Sequence, residues 1–127
     1  MAVRGIGGVF FRARDPQALA EWYAAHLGLA LEPGGHALLR WADGERGGAP
    51  GSTVWSPFPA DTDYFGTDAP YMVNYLVDDL DATVERLRRA DASVEGVQEF
   101  DYGRFAWATD PEGNRFELWE PVEPPSA

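Results

Sequence analysis

Any chemistry in this chain has to be done without cysteine. None of the 127 residues is one, so thiolate nucleophiles, thiolate metal sites and disulfides are excluded. Two histidines remain, His26 and His36. His26 falls on an apolar helical stripe that begins at Leu19, where a half-buried, hydrogen-bonded ring is expected. His36 follows Gly34-Gly35 at the start of a strand and is expected to be exposed. Neither is read as a metal ligand. No nucleophile–base pair, phosphate loop or Walker-type motif appears, and the glycines from Gly44 to Gly51 follow no phosphate-binding spacing.

Acid is what the chain has in excess. Twenty-one Asp and Glu against ten Lys and Arg leave a net charge of −11. Nucleic acid needs a basic footprint and is excluded as a partner. An acidic surface either keeps the protein soluble or attracts a cationic small molecule or basic partner, and charge alone leaves both open. Aromatic residues make up 13 %, five of them Trp, enough to build a core without covalent staples and still wall a pocket. The length is that of one domain. The opening residues lack a signal-peptide apolar core, and no stretch is long enough to cross a bilayer. A cytoplasmic location with no membrane partner is therefore expected.

The elements that position side chains follow from periodicity. Gly5 to Arg14 alternates as a strand, with Gly8, Phe10 and Arg12 on one face and Val9, Phe11 and Ala13 on the other. Asp15-Pro16 opens a helix, the carboxylate capping orphan N–H groups and proline suiting the first turn. Leu19, Trp22, Tyr23, His26 and Leu27 are its expected buried stripe, and Gly28 its left-handed cap. Short strands follow at Leu29 to Leu31, Ala37 to Trp41 and Ser52 to Ser56, with a glycine-rich turn from Asp43 to Gly51. A linker with three prolines, carrying Phe58, Tyr64 and Phe65, is too apolar to be a free tether and is expected to drape over the fold or cover a pocket.

Shifting the numbering by 64 lays the second half on the first: Val9, Phe11, Ala13, Asp15, Ala18 and Glu21 fall on Val73, Tyr75, Val77, Asp79, Ala82 and Glu85. Such an echo marks a duplicated unit. Tyr71 to Asp78 is the second opening strand. Asp79 caps a helix to about Ala90 that buries Leu80, Val84 and Leu87 and pairs Glu85 with Arg89 on its wet side. Strands Ala92 to Phe100, Arg104 to Thr109 and Arg115 to Glu120 follow. Asp110-Pro111-Glu112-Gly113 is a type I turn between the last two. Pro121, Pro124 and Pro125 end the sheet and leave a short extended tail.

The strand-Asp15-Pro16-helix run ending Tyr23…Leu27-Gly28-Leu29, the Val77-Asp78-Asp79-Leu80 entry to the second helix, and the closing Asp110-Pro111-Glu112-Gly113-Asn114-Arg115-Phe116-Glu117-Leu118 together resemble the vicinal oxygen chelate superfamily of glyoxalases, bleomycin-resistance proteins, extradiol dioxygenases and fosfomycin-resistance enzymes. The resemblance implies an α+β fold of two βαβββ modules in a cupped, mostly antiparallel sheet with helices outside, and a homodimer. Residues 1–127 form one such domain, with module one at about 4–58, a linker at 59–70 and module two at about 71–121. It also implies metal positions early in each opening strand and on each closing strand, which fall here on Gly8, Met72, Glu117 and, by the echo, Thr53. Only Glu117 is a strong ligand, whereas a transition metal needs three or four donors. No metal or other cofactor is therefore expected.

Around those positions strand parity collects Phe10, Arg12, Thr53, Trp55, Met72, Asn74, Arg115, Glu117 and Trp119, an aromatic surface with few polar fixtures, as in small-molecule pockets. Gly8 is expected to leave room among them. Trp107, Tyr102, Tyr64 and Phe65 are candidates for its rim. Glu117 is the candidate catalytic group if it lacks a charged partner. If it pairs with Arg12 or Arg115, the aromatics merely fill the interior. The expected function is binding of a planar or cationic organic molecule without the usual metal. The alternative is a glyoxalase-like lyase, isomerase or dioxygenase using Glu117 with non-standard metal ligation.

Overall fold

The computed structural model describes residues 3–41 and 51–122. The glycine-rich turn, save Gly51, and the tail carrying Pro124 and Pro125 lie outside them. The chain runs β1 (Val3–Ala13), α1 (Pro16–Leu27), β2 (Ala37–Arg40), β3 (Ser52–Pro59), β4 (Tyr71–Val77), α2 (Leu80–Arg89), β5 (Ser93–Phe100), β6 (Gly103–Thr109) and β7 (Arg115–Pro121). The strands form one open seven-stranded sheet in the order β2-β3-β1-β4-β7-β6-β5. In each half the opening strand lies parallel to the closing one, β1 with β3 and β4 with β7. The remaining ladders are antiparallel, and β1 against β4 joins the halves. This is the expected α+β architecture.

The helix signals hold where they are chemical. Asp15 accepts from the Ala18 N–H and Asp79 from the Ala82 N–H, both at 3.0 Å. Gly28 closes α1 at φ 69°. Gly113 N–H reaches the Asp110 carbonyl at 3.0 Å, so that turn forms. Two expectations fail. Leu29 to Leu31 is no strand: only Leu31 bridges to Ala37, because the turn at Pro33-Gly34-Gly35 folds back at once through Glu32 and His36. The sheet therefore has seven strands where eight were expected.

The stripe on α1 is also rotated. Ala20 is buried and Leu19, Tyr23 and Ala24 half-buried, whereas Trp22, His26 and Leu27 are exposed. The small Ala20 and Ala24 let the helix approach the sheet, while Tyr23 meets Trp55 at 4.9 Å. Trp22 covers His26 at 4.8 Å on the outer side. Helix α2 follows expectation, with Leu80 and Val84 buried against Val77, Ala106 and Leu118, and Glu85 bridged to Arg89. Fully burying a side chain such as Leu80 stabilises by roughly 1.5–3 kcal/mol. A smaller cluster of Phe10, Phe65 and Met72 lies on the opposite side of the sheet, under the segment linking the halves.

Candidate functional site

The face of the sheet away from the helices carries a cavity of about 750 Å³. Register explains its walls. Gly8 lies opposite Asn74 and Val54, Phe10 opposite Met72, Asn74 beside Glu117, and Trp107 and Phe105 opposite Glu117 and Trp119. Side chains of paired residues share a face, so β1, β3, β4, β7 and β6 each send alternate residues into one hollow. Phe58, Tyr64, Phe100 and Tyr102 complete its aromatic wall.

Glu117 sits in this wall and is 1 % exposed. Its Oε1 accepts from Asn74 Nδ2 at 2.6 Å, and its Oε2 accepts from Trp107 Nε1 at 2.8 Å and from the Tyr64 hydroxyl. A buried carboxylate has to be compensated; here three uncharged donors do it. Pairing with Arg12 or Arg115 does not occur. The Tyr64 phenol is held above the ordinary tyrosine range, by burial first and by the adjacent Glu117 charge second. It therefore remains a donor through neutral and mildly alkaline pH. Asn74 Oδ1, by contrast, is buried with no hydrogen-bond partner. It points at Gly7, where a Cβ would overlap it, so glycine at 7 is what admits the Asn74 side chain.

The expected site residues divide. Phe10, Asn74, Arg115, Glu117 and Trp119 line the cavity. Arg115 bridges to Glu95 at 2.8 Å, holding that carboxyl below the usual range, and lies 5.7 Å over the Trp107 ring. Trp119 stacks on Phe105 at 6.0 Å and donates to the Tyr102 carbonyl at 3.2 Å. Met72 is not in the wall but beneath it, packed on Phe10 and Phe65.

Five expectations are corrected. Trp55 stands on the helix side, against Phe11 at 5.1 Å and Tyr23. Thr53 shares that side and is spent on the Ile6 carbonyl and the Trp41 indole. Arg12 shares the cavity face but leans over the linker, where it holds four backbone carbonyls. Nor does Gly8 leave room, since a Cβ there would meet the Phe10 ring at 2.9 Å. Phe65 does not rim the opening either; it is 1 % exposed.

Trp107 and Phe105 were within reach of sequence: the Asp110–Gly113 turn sets Thr109 opposite Arg115, and counting back by two gives both. Phe58, likewise, lies opposite Arg12.

The fold is thus a pair of related modules sharing one open sheet, with a walled cavity on its helix-free face. Residues 8–119 match the family model described as a glyoxalase-like domain, and the chain belongs to that family. Among solved structures, methylmalonyl-CoA epimerase of Streptomyces coelicolor, in complex with 2-nitronate-propionyl-CoA, is 17 % identical at TM-score 0.68, over 96 % of this chain and 100 % of that one. The Mycobacterium tuberculosis epimerase is 23 % identical at TM-score 0.60, over 95 % and 90 %. A glyoxalase/bleomycin resistance protein/dioxygenase superfamily member from Vibrio splendidus 12B01 is 14 % identical at 0.60, over 94 % and 99 %. At such identities the likeness is of fold. No curated protein sequence matches the chain significantly.

The superfamily's divalent ion can be tested on the donors present. Asn74 lies beside Glu117 and Phe10 beside Ser56, and Asn74 is the echo of Phe10, so the counterpart of Glu117 is Ser56 rather than Thr53. The four positions then hold Gly8, Ser56, Met72 and Glu117. A glycine, a hydroxyl, a thioether and a carboxylate already accepting three hydrogen bonds do not fit a divalent ion. Among the described residues no three His, Cys, Asp or Glu gather.

Proposed function

We propose that this glyoxalase-like domain binds a flat, positively charged organic molecule in the cavity above Glu117, with no metal mediating the contact. One observation carries the reading. Three acidic residues, Asp63, Glu95 and Glu117, are among those lining a largely aromatic hollow, and Arg115, the cation among its lining residues, is already committed to Glu95. Rings stack on Phe, Tyr and Trp faces, and those faces attract cations more strongly once water is excluded. Trp107 and Trp119 offer such faces and Glu117 gives the charge a counterion.

The Streptomyces coelicolor epimerase is seen in complex with 2-nitronate-propionyl-CoA. A polyphosphate ligand of that kind asks for free cations at the site, and Arg12 and Arg115 are both occupied. The cavity's charge balance favours the cation.

Tryptophan fluorescence titration with an acridinium dye, its neutral analogue and a sulfonated anionic analogue tests the reading. The cation is expected to quench saturably, and at least tenfold more tightly than the anion. Glu117→Gln is expected to remove most of that preference. Equal binding of the anionic dye, or of propionyl-CoA in its place, overturns the proposal.

A further inference from the structure

Arg12 stands outside the cavity wall, yet its guanidinium is the most fully used group in the linker region. Nε donates to the Ala69 carbonyl at 2.9 Å, Nη1 to Ala60 at 2.9 Å and Thr62 at 2.7 Å, and Nη2 to Thr67 at 2.6 Å. The four carbonyls bracket residues 63–66. Carbonyl oxygens brought this close together repel unless a donor stands between them, and the planar arginine fork supplies several N–H directions at once where lysine is a single point charge. Beneath it Phe65 is 1 % exposed, with the guanidinium 4.9 Å from its ring centre.

The strap so held carries Tyr64. The Thr62 hydroxyl accepts from the Tyr64 N–H at 3.2 Å, and Gly66 turns the chain at φ 68° with its N–H on the Asp63 carbonyl. From the cavity side Arg115 Nη1 donates to the Tyr64 carbonyl at 2.9 Å. The Tyr64 ring then stacks on Phe58 at 5.5 Å and lays its hydroxyl on Glu117.

We infer that Arg12 is a positioning residue for the cavity: by gathering the carbonyls of residues 60–69 it fixes the strap in the one conformation that delivers the Tyr64 hydroxyl to Glu117. The inference goes beyond ligand binding and stands or falls without any ligand.

Ultraviolet titration of the tyrosines, with each protein compared to its own Tyr64→Phe counterpart, isolates the Tyr64 phenol. In the unaltered protein Tyr64 is expected to resist ionisation beyond the ordinary tyrosine range. In Arg12→Ala, and equally in charge-conserving Arg12→Lys, it is expected to ionise near the ordinary value of about 10. Amide exchange over residues 60–69 should quicken at least tenfold, with β6 and β7 unchanged. A merely structural role would lower the global unfolding midpoint and leave Tyr64 titrating as before. A folded Arg12→Ala with the Tyr64 titration of the unaltered protein overturns the inference. If Arg12→Ala does not fold, Arg12→Lys decides by the same reading. Failure of both to fold also overturns it, since Arg12 would then hold the fold rather than the site.

Discussion

Where β1 meets β3, Phe10 stands beside Ser56; at the corresponding point where β4 meets β7, Asn74 stands beside Glu117. The two halves share strand order, capping aspartates and pairing, yet they furnish the cavity differently. Module one gives apolar wall in Phe10, Val54 and Phe58, and spends Arg12 on the strap. Module two gives the polar floor: Asn74 and Trp107 each donating to Glu117, with Arg115 and Glu95 beside them. A duplicated scaffold fixes where side chains point, not which ones they are, and each half is free to specialise once the other supplies what it lacks. The β1–β4 ladder joins the two halves, and the segment between them adds the Tyr64 hydroxyl on Glu117.

The sharpest way to break this comparison is to alter both counterparts. Glu117→Ala leaves Asn74 Nδ2 and Trp107 Nε1 as buried donors without an acceptor and frees the Tyr64 hydroxyl. Each orphaned donor costs about 1–3 kcal/mol, so a loss of roughly 3–5 kcal/mol is expected in urea unfolding. That is a large part of the ~5–15 kcal/mol a domain has. Ser56→Ala, at the matching point of module one, is expected to change stability by less than about 0.5 kcal/mol. Equal effects at the two positions would mean that the floor is not concentrated in module two.

Gly7 comes next. Its Cβ would fall on Asn74 Oδ1, and Trp119 Cε3 stands at 3.1 Å from the same point. Overpacking of this kind costs typically 1–3 kcal/mol. Gly7→Ala is therefore expected to lower the unfolding midpoint and weaken cationic dye binding together, because Asn74 has to swing off Glu117. Gly8→Ala, whose Cβ meets the far edge of the Phe10 ring, is expected to cost less in both measurements.

Tyr64→Phe removes the hydrogen bond from the linker to the floor of module two and is expected to cost about 1 kcal/mol near neutral pH. Its sign against pH is fixed by the raised phenol. The folded state keeps the Tyr64 proton where the unfolded chain has lost it, so this contribution is intact below about pH 10 and fades as pH rises above it. Urea midpoints should fall on the alkaline limb in the unaltered protein and fall less steeply in Tyr64→Phe. Parallel limbs would show that Tyr64 is not held.

How much of this was legible in the sequence depends on whether local chemistry or packing decides. Asp15, Asp79, Gly28 and the Asp110–Gly113 turn are local devices, and they form as read. The opening strands, with their alternation and shared offset, place Phe10 and Asn74 correctly. The buried face of α1 was not legible, since Ala20 and Ala24 look like surface helix formers until a sheet lies against them. Thr53 and Trp55 were misplaced because the offset that relates β1 to β4 does not carry over to β3 and β7. The true counterpart of Glu117 lies three residues beyond Thr53, and an odd step changes the face of a strand. Tyr64 sits on an irregular strap, where no period announces which way a ring points.

The smallest effect concerns the ion pair at the cavity edge. The Glu95 side chain is 58 % exposed against 14 % for Arg115, so water and salt screen the pair and its worth to stability is well under about 1 kcal/mol. The hydrogen bond from Arg115 holds the Glu95 carboxyl below its ordinary range. The contribution is thus present above about pH 4.3 and is lost as pH falls through the depressed value. Glu95→Gln is expected to leave the unfolding midpoint almost unmoved at neutral pH, and only in low salt to lower it measurably. Its larger consequence is for charge in the cavity. With Glu95 neutral, Arg115 is left without its carboxylate partner and the lining falls from three acidic groups to two. Discrimination of cationic over anionic dye should then shrink while stability barely changes. A preference that survives Glu95→Gln undiminished would assign the whole of it to Glu117 on the floor of module two, which sharpens the contrast between the halves rather than dissolving it.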